Sequence, residues 1–253
     1  MRYMKSTYAH LAYSKCGKTS IKDKKRQIRH ARPLLTIELM GMPGSGKSTC
    51  IKHIYEGLCK MNALILSNED VTVDSIDKKY EFNQKIISNL ESAYCKHSGF
   101  LVLDRGIRDM GLWLNVHSKV AKCYNIEHSL SPRACSKLAE RLPECESDES
   151  YYSILFLQPA ALSAQRRQIH RHAADDWAIT EVYLAELEKA YREMERTRGH
   201  NTYVIYSNEL TMENLVAEFE KILRDILIRW GINNVMEQNK IQQMTGEIFA
   251  SAR

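Results

Sequence analysis

The feature that most constrains this chain is a glycine-rich loop between an apolar run and a helical pattern. The apolar run covers residues 34–40, and residues 41–49 then read GMPGSGKST. Glycines at such a turn let backbone N–H groups converge on phosphate oxygens without side chains in the way. Helical spacing after the loop would put the phosphates at a helix N-terminus, where amides and the helix dipole favour anions. The sequence therefore predicts a nucleoside triphosphate site.

The loop residues have separate expected roles. Lys47 is expected to reach the β and γ phosphates of ATP, and Ser48 to place its hydroxyl on Mg²⁺. Phosphate oxygens and waters would complete the octahedral shell of that ion. ATP and Mg²⁺ are thus the expected cofactors, and the expected nucleotide contacts are Gly41, Pro43, Gly44, Ser45, Gly46, Lys47, Ser48 and Thr49.

Four more apolar runs follow the loop, at residues 62–67, 99–103, 153–157 and 202–206. Continuous apolar runs suit strands that are covered on both faces. Helical patterns separate them, with core stripes that include Tyr183, Leu184, Leu187, Tyr191 and Met194. Alternating strands and helices predict an α/β chain with the three-layer P-loop NTPase fold, in which helices flank a five-stranded parallel sheet. Ligands of such sheets bind at the carboxyl ends of the strands.

Charge divides the chain into unequal parts. Residues 1–33 hold ten Lys and Arg against one acid, a net charge of +9, whereas the remainder has a net charge of −4. We predict a basic, disordered N-terminal arm over 1–33, a catalytic domain over 34–230 and a polar C-terminal appendix over 231–253. The arm leaves contact with nucleic acid, an anionic surface or the organelle import machinery open.

The cysteines and the hydropathy indicate the compartment. Seven cysteines are scattered without a C-x-x-C pair, which predicts free thiols in a reducing, cytoplasmic compartment. No apolar run reaches the roughly 18 residues of a membrane span, so no membrane partner is expected. A homodimer is left open.

A cluster of charged residues follows the second apolar run, and another follows the third. Asp104 is expected to hold Mg²⁺ or take a proton from the acceptor, although an acid at this place is also a common helix cap. Arg105 and Asp109 are expected to contact the substrate, and Arg105 to bind phosphate. After the second run, Glu69 or Asp70 can act as general base on an acceptor hydroxyl; the alternative is a pair of solvated acids.

Arginines follow the fourth run. Their fixed charge suits a lid over about residues 160–176 that closes on the transferring phosphoryl group. The alternative is an ordinary basic helix surface. The residues are Arg166, Arg167 and Arg171.

These features together resemble the deoxynucleoside kinase and thymidylate kinase branch of the P-loop kinases, over roughly residues 34–230. The acid and arginine after the third strand, the proline turn at Pro159, the arginine-rich lid and the Tyr183–Leu184 pair all agree in order. The resemblance implies that Glu69 is the base that activates a 5′-hydroxyl, and that Gln84 stands near the glutamine that reads the nucleobase.

The chain departs from that family at several positions. Asp70 stands where the nucleoside kinases have proline, and Gly106 where the two families have serine or tyrosine. Leu112, Trp113 and Leu114 add bulk near the expected acceptor pocket. Residues 112–150 either build a distinct acceptor-binding face or pad the fold. The acceptor is therefore not fixed by the resemblance.

The leading hypothesis is an ATP-dependent kinase that transfers the γ-phosphoryl group to a nucleoside, a nucleotide or a similar small-molecule acceptor. A second hypothesis is a 5′-hydroxyl polynucleotide kinase whose basic arm contacts the nucleic acid backbone. A third is a nucleotide-dependent regulatory NTPase. The chain has no Asn-Lys-x-Asp motif between the fourth and fifth runs, which argues against a GTPase-type switch.

Overall fold

The computed structural model describes residues 35–60, 63–66, 79–96, 99–124, 130–145, 149–171 and 181–233. Next to some of the gaps, as at residues 167–171, only the backbone is described. The predicted arm over 1–33, Glu69, Asp70 and residues 234–253 lie outside this part of the chain.

Five parallel strands form one sheet. They are β1 (Leu35–Gly41), β2 (Leu64–Leu66), β3 (Phe100–Asp104), β4 (Tyr151–Leu157) and β5 (Thr202–Tyr206). Their order across the sheet is β2-β3-β1-β4-β5, and every neighbouring pair is parallel. The predicted five-stranded parallel sheet is confirmed. Its central strand, β1, leads directly into the glycine-rich loop.

Seven helices flank this sheet in the described part of the chain. They are α1 (Lys47–Lys60), α2 (Lys79–Lys96), α3 (Ile107–Tyr124), α4 (Pro132–Ala139), α5 (Ala160–Arg171), α6 (Glu181–Arg196) and α7 (Met212–Asn233). Among these helices none is long and apolar enough to cross a membrane.

The helices form two layers that cover opposite faces of the sheet. One hydrophobic cluster joins α1 and α7 to β1, β3, β4 and β5. On the other face, one cluster joins α2, α3 and α4 to β3, and a second joins α3 and α6 to the ends of β1 and β4. Alternate residues of each strand serve the two faces, as strand geometry requires. This arrangement confirms the predicted three layers.

The structure refines several predicted boundaries. β4 begins at Tyr151, two residues before the predicted start, because the side chains of Tyr151 and Tyr152 are both buried in the core. α7 continues to Asn233, three residues into the predicted appendix.

The segment at 112–150, whose role was left open, contributes to the core. Most of α3 lies in this segment, and α4 begins at Pro132 with Ser131 as its N-cap. The Ser131 hydroxyl oxygen accepts a hydrogen bond from the Ala134 N–H at 3.2 Å. Buried side chains of Cys135 and Leu138 then pack α4 against the α2 and α3 side of the sheet.

Candidate active site

The phosphate loop has a backbone that only glycine adopts readily. Gly41, Gly44 and Gly46 have φ values of 125°, 73° and 94°. A Cβ on Gly41 would lie 2.1 Å from the carbonyl oxygen of Phe156, and one on Gly46 would lie 2.5 Å from Leu215 Cδ2. Both positions therefore exclude side chains by conformation and by space.

Lys47 lies inside this loop. Its buried ammonium group donates to the carbonyl oxygens of Gly41 at 2.9 Å and Met42 at 2.8 Å, and to the Ser45 hydroxyl at 3.3 Å. Lys47 is also the first residue of α1, so its charge stands at a helix N-terminus. The loop thus combines a positive side chain with the end of a helix that favours anions. This is the arrangement expected of a site for phosphate groups.

Ser48 and Asp104 meet at the carboxyl edge of the sheet. The Ser48 hydroxyl donates to Asp104 Oδ2 at 2.8 Å. Asp104 ends β3 opposite Leu39 of β1, and Ser48 lies in the first turn of α1, directly after the loop that follows β1. The neighbouring strands β1 and β3 therefore bring the two residues together. A hydroxyl oxygen and a carboxylate oxygen are hard ligands of the kind Mg²⁺ takes, and this ion needs only one or two protein groups. The pair fits the predicted magnesium site.

Arg105 follows Asp104 with an unusual backbone. Its φ is 66°, a left-handed conformation uncommon outside glycine, and its N–H donates to the Leu39 carbonyl at 2.9 Å. Burial lowers the pKa of the guanidinium, but the carboxylates of Asp109 and Asp104 raise it above its usual value. The guanidinium therefore stays charged beside two acids at the edge of the loop.

Asp109 is buried behind the loop. Its Oδ1 accepts hydrogen bonds from the Gly41 N–H at 3.3 Å and the Tyr191 hydroxyl at 2.5 Å. Burial raises the pKa of Asp109, while the charges of Arg105 and Lys47 oppose that rise. The carboxylate thus faces groups of the protein itself. This position suits a residue that supports the loop, and the contact of Asp109 with the substrate stays a prediction.

Glu38 is a site residue that the sequence analysis did not single out. It lies fully buried in β1, and its carboxylate accepts from the N–H groups of Asp109 at 2.6 Å and Arg108 at 3.3 Å, and from the Tyr151 hydroxyl at 2.5 Å. Burial and the negative charge of Asp109 raise the pKa of Glu38 to about 7. The signal in the sequence was a single charge within the apolar run 34–40.

Glu38 also accounts for one departure from the kinase pattern. A Cβ on Gly106 would lie 2.7 Å from Glu38 Cδ and 2.9 Å from Leu103 Cδ1. Such distances are too short for real Cβ atoms, so a serine or tyrosine at this position would have to displace the Glu38 carboxylate. Gly106 thus leaves the space that the Glu38 side chain occupies.

Gln158 joins the loop to the predicted lid. Its side chain is fully buried at the end of β4, and Nε2 donates to the Pro43 carbonyl at 2.8 Å and the Ser163 hydroxyl at 2.7 Å. Its Oε1 accepts from Arg166 Nη1 at 2.7 Å, and the same nitrogen donates to the Gly44 carbonyl at 3.1 Å. Arg166, on α5, therefore lies directly against the phosphate loop. The sequence analysis used the turn that contains Gln158 and Pro159 for the family resemblance, but it gave Gln158 no role in the site.

For the other predicted site residues, Arg167, Arg171 and Gln84, the structure describes no contact between the side chain and the phosphate loop. Arg167 and Arg171 belong to α5, but their side chains lie outside what the structure describes. Gln84 is exposed on α2, and its contact with a nucleobase stays a prediction. Trp113 packs inward, with its ring 3.9 Å from that of His117, and contributes to the core between α3 and α6.

Comparison with known proteins finds likeness in structure only. No protein-family profile and no curated protein matches the sequence. A structure of deoxyadenosine kinase from M. mycoides with bound dCTP has 16% identity and a TM-score of 0.54, and the match covers 76% of this chain and 100% of that one. The same enzyme with bound dATP gives 16% and 0.51, over 75% and 98%. Thymidylate kinase from Candida albicans gives 11% and 0.49, over 77% and 92%. In structure, this chain has the P-loop fold of deoxynucleoside kinases, which confirms at the level of the fold the resemblance that its motifs predicted.

Proposed function

We propose that this protein is an ATP-dependent kinase that transfers the γ-phosphoryl group of ATP to a nucleoside or nucleotide. One observation carries the proposal: the Ser48 hydroxyl and the Asp104 carboxylate are 2.8 Å apart, beside Lys47 inside a phosphate loop. Phosphoryl transfer depends mainly on positioning and on neutralising negative charge, and these three groups supply both. The fold shared with deoxyadenosine kinase supports the same conclusion.

The charged and polar side chains around the phosphate loop have separate roles in this proposal. Lys47 binds the β and γ phosphates, and Ser48 and Asp104 hold Mg²⁺, which neutralises phosphate charge when bound. Arg166 already contacts the loop at Gly44, so its charge is suited to the transferring phosphoryl group. Arg167 and Arg171 follow it in the same helix and are candidates for the same role. Arg105 supplies a fixed positive charge on the acceptor side.

The acceptor is proposed from the resemblance. The M. mycoides deoxyadenosine kinase structures hold dATP, or dCMP and dCDP as products, which favours a deoxynucleoside. The acceptor hydroxyl oxygen bonds to the γ phosphorus, the bond to the β–γ bridging oxygen breaks, and ADP leaves with that electron pair. The hydroxyl proton passes to the carboxylate of Glu69 or Asp70, and Gln84 is the candidate for reading the nucleobase.

The test is label transfer from γ-labelled ATP with Mg²⁺ to deoxynucleosides, nucleoside monophosphates and 5′-hydroxyl oligonucleotides. Asp104→Asn is expected to lower kcat about 100-fold or more, because it removes a charge at the metal site. Asp225→Asn is the matched control, since Asp225 also accepts a hydroxyl hydrogen bond, from Tyr203 at 2.8 Å, away from the loop. Lys47→Ala should abolish transfer.

Other outcomes decide between the functions. Label on the oligonucleotide alone would replace the proposal with a polynucleotide kinase. Free phosphate without any labelled acceptor would favour the regulatory NTPase. A cytoplasmic location stays a prediction from the sequence, and a homodimer stays open.

A further inference from the structure

Helix α3 begins without a capping side chain of its own. Its first residue is Ile107, so the residue in the cap position is Gly106. The first amides of a helix have no partners within the helix, and a serine, threonine, aspartate or asparagine at the cap commonly accepts from the second or third of them. Gly106 has no such group.

Side chains from two strands take over this role. The Ile107 N–H donates to the Tyr151 hydroxyl at 3.1 Å, and the Arg108 and Asp109 N–H groups donate to the two carboxylate oxygens of Glu38 at 3.3 Å and 2.6 Å. The second and third amides are those that a serine at the cap position would bind. Glu38 is thus a helix cap that is supplied from β1.

The space around Gly106 makes the two kinds of cap exclusive. A Cβ on Gly106 would stand 2.7 Å from Cδ and 2.8 Å from Cγ of Glu38. A local serine cap and the Glu38 cap cannot both be accommodated without movement. The cap on α3 therefore depends on both residues: Glu38 supplies the acceptor oxygens, and Gly106 leaves the space for its side chain.

Neighbouring groups hold the Glu38 carboxylate in place. Tyr151 donates its hydroxyl to Glu38 Oε2 at 2.5 Å, and its ring lies 4.7 Å below the guanidinium carbon of Arg108. Arg108 donates in turn to the Ser153 hydroxyl at 3.1 Å and the Cys145 carbonyl at 3.4 Å. Both β1 and β4 thus fix the start of α3.

The start of α3 is connected to the phosphate loop on two sides. Asp104 and Arg105 come immediately before Gly106, and Asp109 in the first turn accepts from the Gly41 N–H at 3.3 Å. We propose that Glu38 is a positioning residue, which caps α3 from β1 and so holds the Asp104–Arg105 pair and Asp109 in register with the phosphate loop. The effect on catalysis rests on the kinase function proposed above.

The test uses Glu38→Ala, Gly106→Ser and the double variant. Glu38→Ala is expected to lower kcat about 10- to 100-fold, because small displacements of positioned groups have effects of that size. Gly106→Ser alone should also lower kcat, since its new side chain meets Glu38. In the Glu38→Ala background the same change should raise kcat about tenfold, since its hydroxyl then has room to cap α3. Gly106→Ser should thus lower kcat when Glu38 is present and raise it when Glu38 is absent, which is expected only if the two residues compete to cap the same helix.

A second measurement, amide hydrogen exchange, tests the cap on α3 independently of catalysis. Hydrogen exchange of a peptide covering residues 105–112 should become faster in Glu38→Ala and slow again in the double variant. Ser131→Ala is the matched control, since it removes a cap from α4 and should speed exchange there without changing kcat.

The outcomes separate the two proposals. A Gly106→Ser change that gives no recovery in the Glu38→Ala background, or a double variant that does not fold, would overturn the capping proposal. If only Glu38→Ala fails to fold and the double variant folds, the proposal is supported. If the wild-type protein labels no acceptor, the kinase function fails, while hydrogen exchange still decides the role of Glu38.

Discussion

The two faces of β1 differ in the interactions that hold them: one packs apolar side chains, and the other carries a buried carboxylate with its hydrogen bonds. On one face, Leu35, Ile37 and Leu39 pack into an apolar cluster with α1 and α7. On the other face, Glu38 lies buried among the hydrogen bonds of α3 and β4. The first face is held together by removing apolar surface from water, which depends on volume and not on direction. The second depends on directional partners, because a buried charge without them is very costly.

This difference shows where the candidate site is held. The candidate site holds three charged residues at the phosphate loop: Asp109, Arg105 and Lys47. Each lies beside a partner of opposite charge or a hydrogen-bonding group. Buried ion pairs add little net stability, but the removal of one partner is strongly destabilising. The buried polar contacts around Glu38 fix geometry at the expense of stability, and the apolar clusters on the two faces of the sheet supply the stability.

The largest expected effect is on the apolar face. Phe219→Ala should lower the free energy of unfolding by about 3–5 kcal/mol, because it leaves a cavity beside Phe156, whose ring centroid is 6.1 Å away. Denaturant unfolding measures the loss, and the affinity for ATP of the folded fraction should stay as in the wild type. A loss below about 1 kcal/mol would break the comparison, since it would mean that this face does not carry the stability.

The next effect is the pH dependence that Glu38 gives to the polar face. Its pKa is raised from 4.5 to about 7 by burial and by Asp109, so the folded state binds the proton more tightly than the unfolded state. The stabilisation is therefore complete below about pH 4.5 and is lost as the pH rises to about 7. It amounts to roughly 3 kcal/mol at 1.36 kcal/mol for each pKa unit.

Glu38→Gln should remove this dependence. The difference in unfolding free energy between the wild type and the variant should shift in favour of the variant between pH 5 and pH 8, as followed by denaturant unfolding. The Asp109, Tyr151 and Arg108 side chains that face Glu38 remain in both proteins. Parallel pH profiles for the two proteins would show that Glu38 does not titrate in this range.

The smallest effect comes from single hydroxyl groups. Tyr191→Phe removes the hydrogen bond to Asp109 and should cost about 1–2 kcal/mol of stability and weaken ATP binding, because Asp109 also holds Gly41. Tyr203→Phe removes a hydroxyl–carboxylate hydrogen bond to Asp225 that is only partly buried, and should cost less stability without changing ATP affinity. Calorimetric titration with a non-hydrolysable ATP analogue measures the difference. Equal affinities in the two variants would mean that Asp109 does not act on the loop.

Much of the architecture was readable from the residues. The run at 202–206 matches β5 at both ends, and Ser48 and Asp104, the two residues expected at Mg²⁺, are hydrogen-bonded to each other at one edge of the sheet. Apolar periodicity succeeded here because it reports burial directly. It also predicted Tyr191 as a core residue, which is correct, but the contact of its hydroxyl with Asp109 depends on α6 lying against α3. A periodicity argument has no access to that contact.

The sequence by itself determined the phosphate loop, the parallel sheet and the order of polar residues at the strand ends. These follow from local rules, since glycine conformation, apolar runs and helical spacing are properties of neighbouring residues. Only the tertiary structure decided that Asp109 lies behind the loop, that Gln158 joins Arg166 to it, and that Glu38 caps α3 in place of Gly106. Those roles depend on which donors meet a buried carboxylate or amide, and residues distant in the chain bring them there.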